Sequence, residues 1–178
     1  MAKLRKFVAY RHVKRPYTRK SKYKVKNYVR AFPNIKIVKF EAGDKKKNYE
    51  SHIVLKSKQA LQIRHEALES SRMTINRKLE KVLGKNQFFF RVRPYPHHVL
   101  RENAMATGAG ADRMSTGMAK PFGKVVGAAA QIKEGQIIMD VYTVKGNEMK
   151  VKDAYDTAAR KLPGAYSIAY LKHEGPVI

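Results

Sequence analysis

The first forty residues of the chain contain 14 Lys or Arg and no Asp or Glu, the first acidic residue being Glu41. Such an excess of positive charge destabilises a compact state by self-repulsion unless a polyanion supplies the opposite sign. The other 138 residues carry 24 basic and 14 acidic residues, a balance that suits an ordinary fold. The sequence therefore predicts a basic arm at residues 1–34, a folded domain at residues 35–172 and a short tail at residues 173–178.

The whole chain has a net charge of +24, which indicates a partner dense in phosphates. With 43% apolar residues the body can still fill a core. The chain has no Cys, which excludes disulfides, thiolate catalysis and Cys-ligated zinc. No apolar run has the length of a signal peptide core or approaches the roughly 20 residues of a membrane span, so we expect a soluble intracellular protein with no membrane partner.

Aromatic residues stand among the cations of the arm, for example Tyr10 and Tyr17. Cations neutralise phosphates, while aromatic rings and guanidinium planes stack on unpaired bases, so the mixture favours structured RNA over a uniform duplex. A solubilising tail is the alternative, but such tails are typically poor in aromatic residues. The candidate RNA-binding residues of the arm are Arg5, Arg11, His12, Lys14, Arg15, Tyr17, Arg19 and Lys20.

The first half of the body predicts two strands and a helix. The run IKIVKF at residues 35–40 predicts the first strand, and the second follows at residues 52–55. Ser57 suits a helix N-cap and Gly84 suits the position after the helix. One apolar stripe between them predicts a helix about 40 Å long at 1.5 Å per residue. The stripe consists of Leu61, Leu68, Ile75, Leu79 and Val82.

The segment QFFFRVR at residues 87–93 alternates in the manner of a strand. Its predicted core face consists of Phe88, Phe90 and Val92. The opposite face consists of Phe89, Arg91 and Arg93, so Arg91 and Arg93 are predicted to dock the body onto RNA.

The second half predicts strands at residues 125–132 and 136–144, a helix from Val151 to Leu162, and a strand at residues 166–171. Pro163 follows the helix and stops it. The order of elements predicts a single α+β domain with two helices and a mixed or antiparallel sheet.

An extended loop at residues 102–123 separates the two halves. A segment this long without periodicity is usually functional or disordered. Its glycines permit close approach to a partner, its methionines adapt to irregular surfaces and its cations suit RNA. The alternative is a flexible surface loop without a function. The candidate contact residues in and beside it are Arg101, Met105, Gly108, Gly110, Asp112, Arg113, Met118, Lys120 and Lys124.

Catalytic and cofactor motifs do not fit this region. The run GMAKPFGK has five residues between its glycines where a phosphate-binding loop has four, and Val125 stands where Ser or Thr would bind magnesium. Adjacent His97 and His98 point to opposite sides of an extended chain, so we expect no metal site. Glu102 and Asp112 have no spacing that supports acid–base catalysis. We therefore expect no cofactor and no enzyme activity.

The run FFFRVRPYPHHVLRENAMATGAGADRMSTGMAKPFGKVVGAAAQIKEGQIIMDV resembles the centre of the universal large-subunit ribosomal protein L-sixteen family, in its archaeal and eukaryotic L-ten-e form. The segments YRHVKRPYTR, EALESSRMTINRKL and AARKLPG are similar to that family as well. The stretch from Lys20 to Ala31 and the KKKN turn depart from it.

This resemblance implies an α/β-hammerhead-like fold and a cytoplasmic protein that is a structural part of the large ribosomal subunit. It implies contacts with large-subunit rRNA near the A-site tRNA and the central protuberance, and a loop from Arg101 to Lys124 directed to the peptidyl transferase centre and the P-site tRNA. The implied partners are rRNA, tRNA, neighbouring large-subunit proteins and assembly factors, and the implied roles are tRNA positioning and late subunit assembly. A free RNA- or DNA-binding module, such as a chaperone or an architectural protein, is the second hypothesis. An RNA-modifying enzyme, which would need a catalytic constellation, is the third.

Overall fold

The computed structural model describes residues 4–18, 22–26, 29, 31–103, 108–110 and 123–176. In this part of the chain two α-helices, α1 (His65–Leu83) and α2 (Glu148–Ala159), accompany eight strands. The strands are β1 (Glu41–Gly43), β2 (Asn48–Ser57), β3 (Leu61–Arg64), β4 (Phe88–Val92), β5 (His98–Glu102), β6 (Lys124–Ile132), β7 (Ile137–Thr143) and β8 (Tyr166–Pro176). The predicted α+β class is confirmed.

The strands form two sheets. One sheet has five strands in the order β1-β4-β7-β2-β8, and the other has three in the order β3-β6-β5. Every registered pair is antiparallel. Of the two predicted alternatives, mixed or antiparallel, the described strands therefore follow the antiparallel one.

The main core lies between the helices and the sheets. Leu68, Ile75 and Leu79 of α1 are buried in it, as predicted from their spacing. Tyr155 of α2 is fully buried, and its hydroxyl donates to the carbonyl oxygens of Ile53 (2.9 Å) and Met139 (3.2 Å). Because these carbonyls belong to neighbouring strands of the larger sheet, Tyr155 fixes α2 on that sheet as well as filling the core.

The strand predicted at residues 35–40 is wrong. Those residues are irregular, with Ile37 buried and Val38 83% exposed, and the strand begins only at Glu41. Pairing with β4 determines where the strand β1 lies in the sequence. Gly43 has φ +92°, and a Cβ there would lie 2.0 Å from the carbonyl oxygen of Phe88, so the backbones approach at a point that only glycine permits.

The predicted start of the first helix is also wrong. Ser57 ends β2, and its hydroxyl donates to the carbonyl of Gln59 (2.7 Å) instead of capping a helix. Leu61 lies in β3 opposite Ile132 of β6, so pairing over a long sequence distance takes the first predicted turn out of the helix. The helix begins at His65 and its 19 residues span about 28 Å at 1.5 Å per residue, not 40 Å. Val82, at 44% exposed, lies off the core stripe.

Three further differences concern strands. β5 was not predicted, because its sequence, HVLRE, is short and has no clear alternation. Phe89 does not lie on an open face: it is 1% exposed and packs with Tyr49 and Tyr142 on the second side of the sheet. β8 runs to Pro176, so residues of the predicted tail extend the sheet. No helix among the described residues is long and apolar enough to cross a membrane.

Candidate RNA interface

The first described segment of the arm, residues 4–18, lies against the three-stranded sheet. Tyr10 is 8% exposed and packs on Leu100 of β5 and Ala129 of β6, with Leu4 and Val126 partly buried around them. The aromatic ring thus supplies an apolar anchor inside a segment that is otherwise cationic. The packing of Tyr10 thus gives the arm a defined path along the sheet.

Two glutamines hold the backbone of the arm. Gln62 Nε2 donates to the carbonyl oxygens of Tyr10 (2.6 Å) and His12 (3.0 Å), and Gln131 Nε2 donates to that of Lys14 (2.7 Å). Gln62 and Gln131 are cross-strand partners in β3 and β6. The side chains of Arg11, His12, Lys14 and Arg15 are exposed, so this segment holds its cations toward solvent while Tyr10 faces the sheet.

Glu102, at the end of β5, ties the start of the arm to the sheet. Its Oε2 lies 2.8 Å from Arg5 Nε, and its Oε1 accepts a hydrogen bond from the Tyr10 hydroxyl (2.6 Å). Burial, with the hydrogen bond to Glu102 acting in the same direction, raises the pKa of Tyr10 to about 12. Glu102 is thus engaged by a guanidinium and a phenol, an arrangement suited to anchoring the arm.

The end of this segment, at Tyr17, pairs with the edge strand β5. The amide of Tyr17 donates to His98 Nδ1 (2.8 Å), and the amide of Val99 donates to the carbonyl of Tyr17 (3.1 Å). Burial, with the nearby His97 and Arg101, lowers the pKa of His98 to about 4, so its ring is neutral at pH 7. The Arg101 guanidinium lies 3.8 Å from the centroid of the Tyr17 ring. This stacking joins an arm residue to a residue beside the extended loop.

β5 and β6 form the stem of the extended loop, with Glu102 opposite Lys124. Lys124 is exposed, as are Gly108 and Gly110, whose φ angles are +131° and +80°. The remaining predicted contact residues of the loop and arm lie outside the described residues; they are Met105, Asp112, Arg113, Met118, Lys120, Arg19 and Lys20.

Arg91 and Arg93 lie in and just beyond β4 of the other sheet, and both contact Asp140. Arg93 Nε is 2.5 Å from Asp140 Oδ2 and Arg91 Nη2 is 3.4 Å from it, while His52 Nε2 is 3.6 Å from Oδ1. Asp140 is fully buried, which by itself raises the pKa, but its interactions with His52 and Arg93 outweigh burial and lower it. The two guanidiniums thus neutralise a buried carboxylate, a role that their sequence pattern did not predict.

The sequence patterns did not predict the roles of four of these residues, which are Gln62, Gln131, Glu102 and Asp140. A signal was present for three of them. Gln62 and Gln131 interrupt apolar strands, as does Asp140 in IIMDVYT, and a polar residue in a buried strand needs a partner. The identity of the partner could not be predicted, since it lies far away in sequence. Among the residues that the structure describes, no group of His, Asp and Glu is arranged to hold a metal ion.

Fold and surface together define a basic α+β domain that presents a cationic segment along one sheet. Comparison with known proteins gives the family: a model described as ribosomal protein L16p/L10e matches residues 13–169. The chain belongs to this family of ribosomal proteins. Such a protein is a structural component of the large subunit, is located in the ribosome and is not an enzyme.

Relatives of this chain carry the name large ribosomal subunit protein uL16, and three of them illustrate the similarity. The relative from Methanospirillum hungatei is 45% identical over 144 residues, covering 81% of this chain and 85% of its own length. The relative from Picrophilus torridus is 44% identical over 150 residues, covering 84% and 85%. The relative from Methanococcus aeolicus is 42% identical over 161 residues, covering 90% of each chain.

Proposed function

We propose that the chain binds large-subunit rRNA through one surface, the arm face, formed by the exposed cations of residues 4–18 together with Arg101. The observation that carries this proposal is the pair of glutamines, which turn the arm carbonyls toward the sheet and leave its cations outside. A solubilising tail has no need of such fixation. Cations held on a fixed backbone match a particular arrangement of phosphates with less loss of conformational entropy on binding.

The salt dependence of binding tests the arm face. Each phosphate contact releases counterions, so log K falls with log salt by about 0.7 to 0.9 per contact. We expect the double variant Lys14→Gln, Arg15→Gln to lower the slope measured with rRNA fragments by roughly one to two. The matched control neutralises Lys81 and Lys85, exposed residues near the far end of α1. A flat salt response of the wild type, or equal loss in both double variants, would contradict the proposal.

The finer placement in the ribosome is proposed from the family resemblance. The arm face would lie near the A-site tRNA and the central protuberance, beside neighbouring large-subunit proteins, with Arg91 and Arg93 as a second rRNA contact. The loop at residues 102–123 would point to the peptidyl transferase centre and the P-site tRNA, and so support tRNA positioning and late assembly with assembly factors. Its stem supports this proposal, because Glu102 and Arg101 connect the loop to the arm.

Shortening the loop between Thr107 and Gly117 tests this role. We expect translation or late subunit maturation to suffer while the chain stays with large subunits through high-salt washing. Release of the shortened chain would identify the loop as an anchor instead. A free chaperone, the competing hypothesis, would be washed from the subunits even in its wild-type form.

A further inference from the structure

A cavity of about 450 Å³ lies between the arm and β5. Its size falls in the range of roughly 300–1,000 Å³ that is typical of pockets for small organic groups. The arm contributes Ala9 and three cations, Arg5, Lys14 and Arg15, and β5 contributes Arg101. Glu102 also lines the cavity, but its carboxylate is engaged by Arg5 and Tyr10, so the electrostatic field of the cavity is positive. We call this cavity the arm pocket.

The walls of the arm pocket offer more than charge. The Arg101 guanidinium carbon lies 3.8 Å from the centroid of the Tyr17 ring, and guanidinium groups are among the groups on which unpaired bases stack. Asn103 lines the pocket with an amide that can both donate and accept hydrogen bonds. His98 lines it as well and is neutral at pH 7, so it adds a polar ring without further charge. This combination suits a nucleobase, whereas a phosphate alone would use only the cations.

We propose that the arm pocket receives one unpaired nucleotide that is turned out of structured RNA, its base inside the pocket and its flanking phosphates on the cations of the arm. This proposal rests on the proposed binding of rRNA and adds the kind of RNA element that is recognised. A regular RNA duplex keeps its bases stacked and presents mainly phosphates and riboses, so it cannot fill such a cavity. A bulge or an internal loop can.

The test uses the full-length protein and RNA hairpins of identical charge. Each hairpin carries one bulged position, which is A, C, G, U or an abasic ribose, and affinity is measured by fluorescence anisotropy. We expect at least one base to bind about tenfold more tightly than the abasic hairpin, the factor typical of one stacking contact. The variant Ala9→Trp fills the pocket without changing charge and should remove this preference while keeping the affinity for the abasic hairpin.

The adjacent residue supplies the control. Val8 is 63% exposed and does not line the pocket, so Val8→Trp should keep the preference for the bulged base. Asn103→Trp fills the pocket from the other side and should have the same effect as Ala9→Trp. Thermal melting of both variants shows which of them are folded, and a single folded variant is enough for the test. The proposal for the arm pocket would be overturned if the wild type bound hairpins with a bulged base and the abasic hairpin equally well. It would also be overturned if folded Ala9→Trp or Asn103→Trp kept the preference for a bulged base. Neither result would affect the proposed binding of rRNA. Salt-independent binding, or none, of every hairpin would instead refute the arm face.

Discussion

Replacing Asp140 with Ala should strongly destabilise the fold, because Asp140 is a fully buried carboxylate between Arg93, Arg91 and His52. Removing one partner of a buried ion pair costs about 3–5 kcal/mol, since it leaves buried charge without compensation. Here Arg91 and Arg93 keep 24% and 41% of their side chains exposed, so water can still solvate part of each guanidinium. We therefore expect the lower end, about 3 kcal/mol.

Urea unfolding followed by circular dichroism measures this loss. At a denaturant slope of about 2 kcal/mol/M, a loss of about 3 kcal/mol lowers the unfolding midpoint by roughly 1.5 M. The measurement needs roughly 0.5 M salt, which shortens the Debye length below 10 Å and screens the repulsion within this basic chain.

A second aspartate provides a matched control. Asp153 forms an ion pair with Lys78 at 2.8 Å, but its side chain is 69% exposed. Exposed pairs contribute about 0.2–1 kcal/mol, so Asp153→Ala should shift the midpoint by less than about 0.5 M. If Asp140→Ala shifted the midpoint no further than Asp153→Ala, Asp140 would not be the structural partner of the two arginines, and our account of that sheet would be refuted.

Three further predictions concern pH, the arm and a turn. His98 has a pKa of about 4 in the folded protein, below its usual 6.5, so its contribution to stability is complete above pH 6.5 and is lost as pH falls toward 4. The free energy of unfolding should therefore fall less between pH 6.5 and 4 in His98→Asn than in the wild type or in the control His97→Asn. Gln62→Ala removes two hydrogen bonds to the arm, each contributing about 1 kcal/mol, and should speed tryptic cleavage within residues 4–18 while the melting of the sheet stays nearly unchanged; unchanged cleavage would mean that the glutamine does not hold the arm. Gly43→Ala places a Cβ against a carbonyl and should lower the melting temperature well beyond Gly135→Ala, which has a φ of +72° but open space around it; equal shifts would show that φ alone matters.

The parts of the fold that could be predicted have local causes. The helix α2 follows from the spacing of Val151, Ala154 and Ala158, but it runs from Glu148 to Ala159 and so ends before the predicted Leu162 and before Pro163. The presence of β4 follows from a local pattern of seven residues, although Phe89 on its second face is buried as well. In contrast, the residues around Leu61 form a strand because β6, about seventy residues later, pairs with them, and no local pattern records that pairing.

The candidate interface divides in the same way. Arg11, Lys14, Arg15 and Tyr17 could be named from composition, because a run of cations and aromatic rings without acids is unsuited to a core and suited to RNA. The role of Arg93 in neutralising Asp140 could not be predicted from composition, because Asp140 lies 47 residues away in sequence and on another strand.

By itself the sequence determined the concentration of positive charge in the first forty residues, the α+β class and the resemblance to its ribosomal family. Only the tertiary structure decided that the arm docks on the three-stranded sheet, that Gln62 and Gln131 hold its carbonyls, and that a pocket opens beside β5. The physical reason is range: charge, periodicity and turn chemistry act between neighbours in the chain, whereas the hydrogen bonds that hold the arm join residues 50 to 117 positions apart. Which groups meet over such distances depends on how the sheets pack.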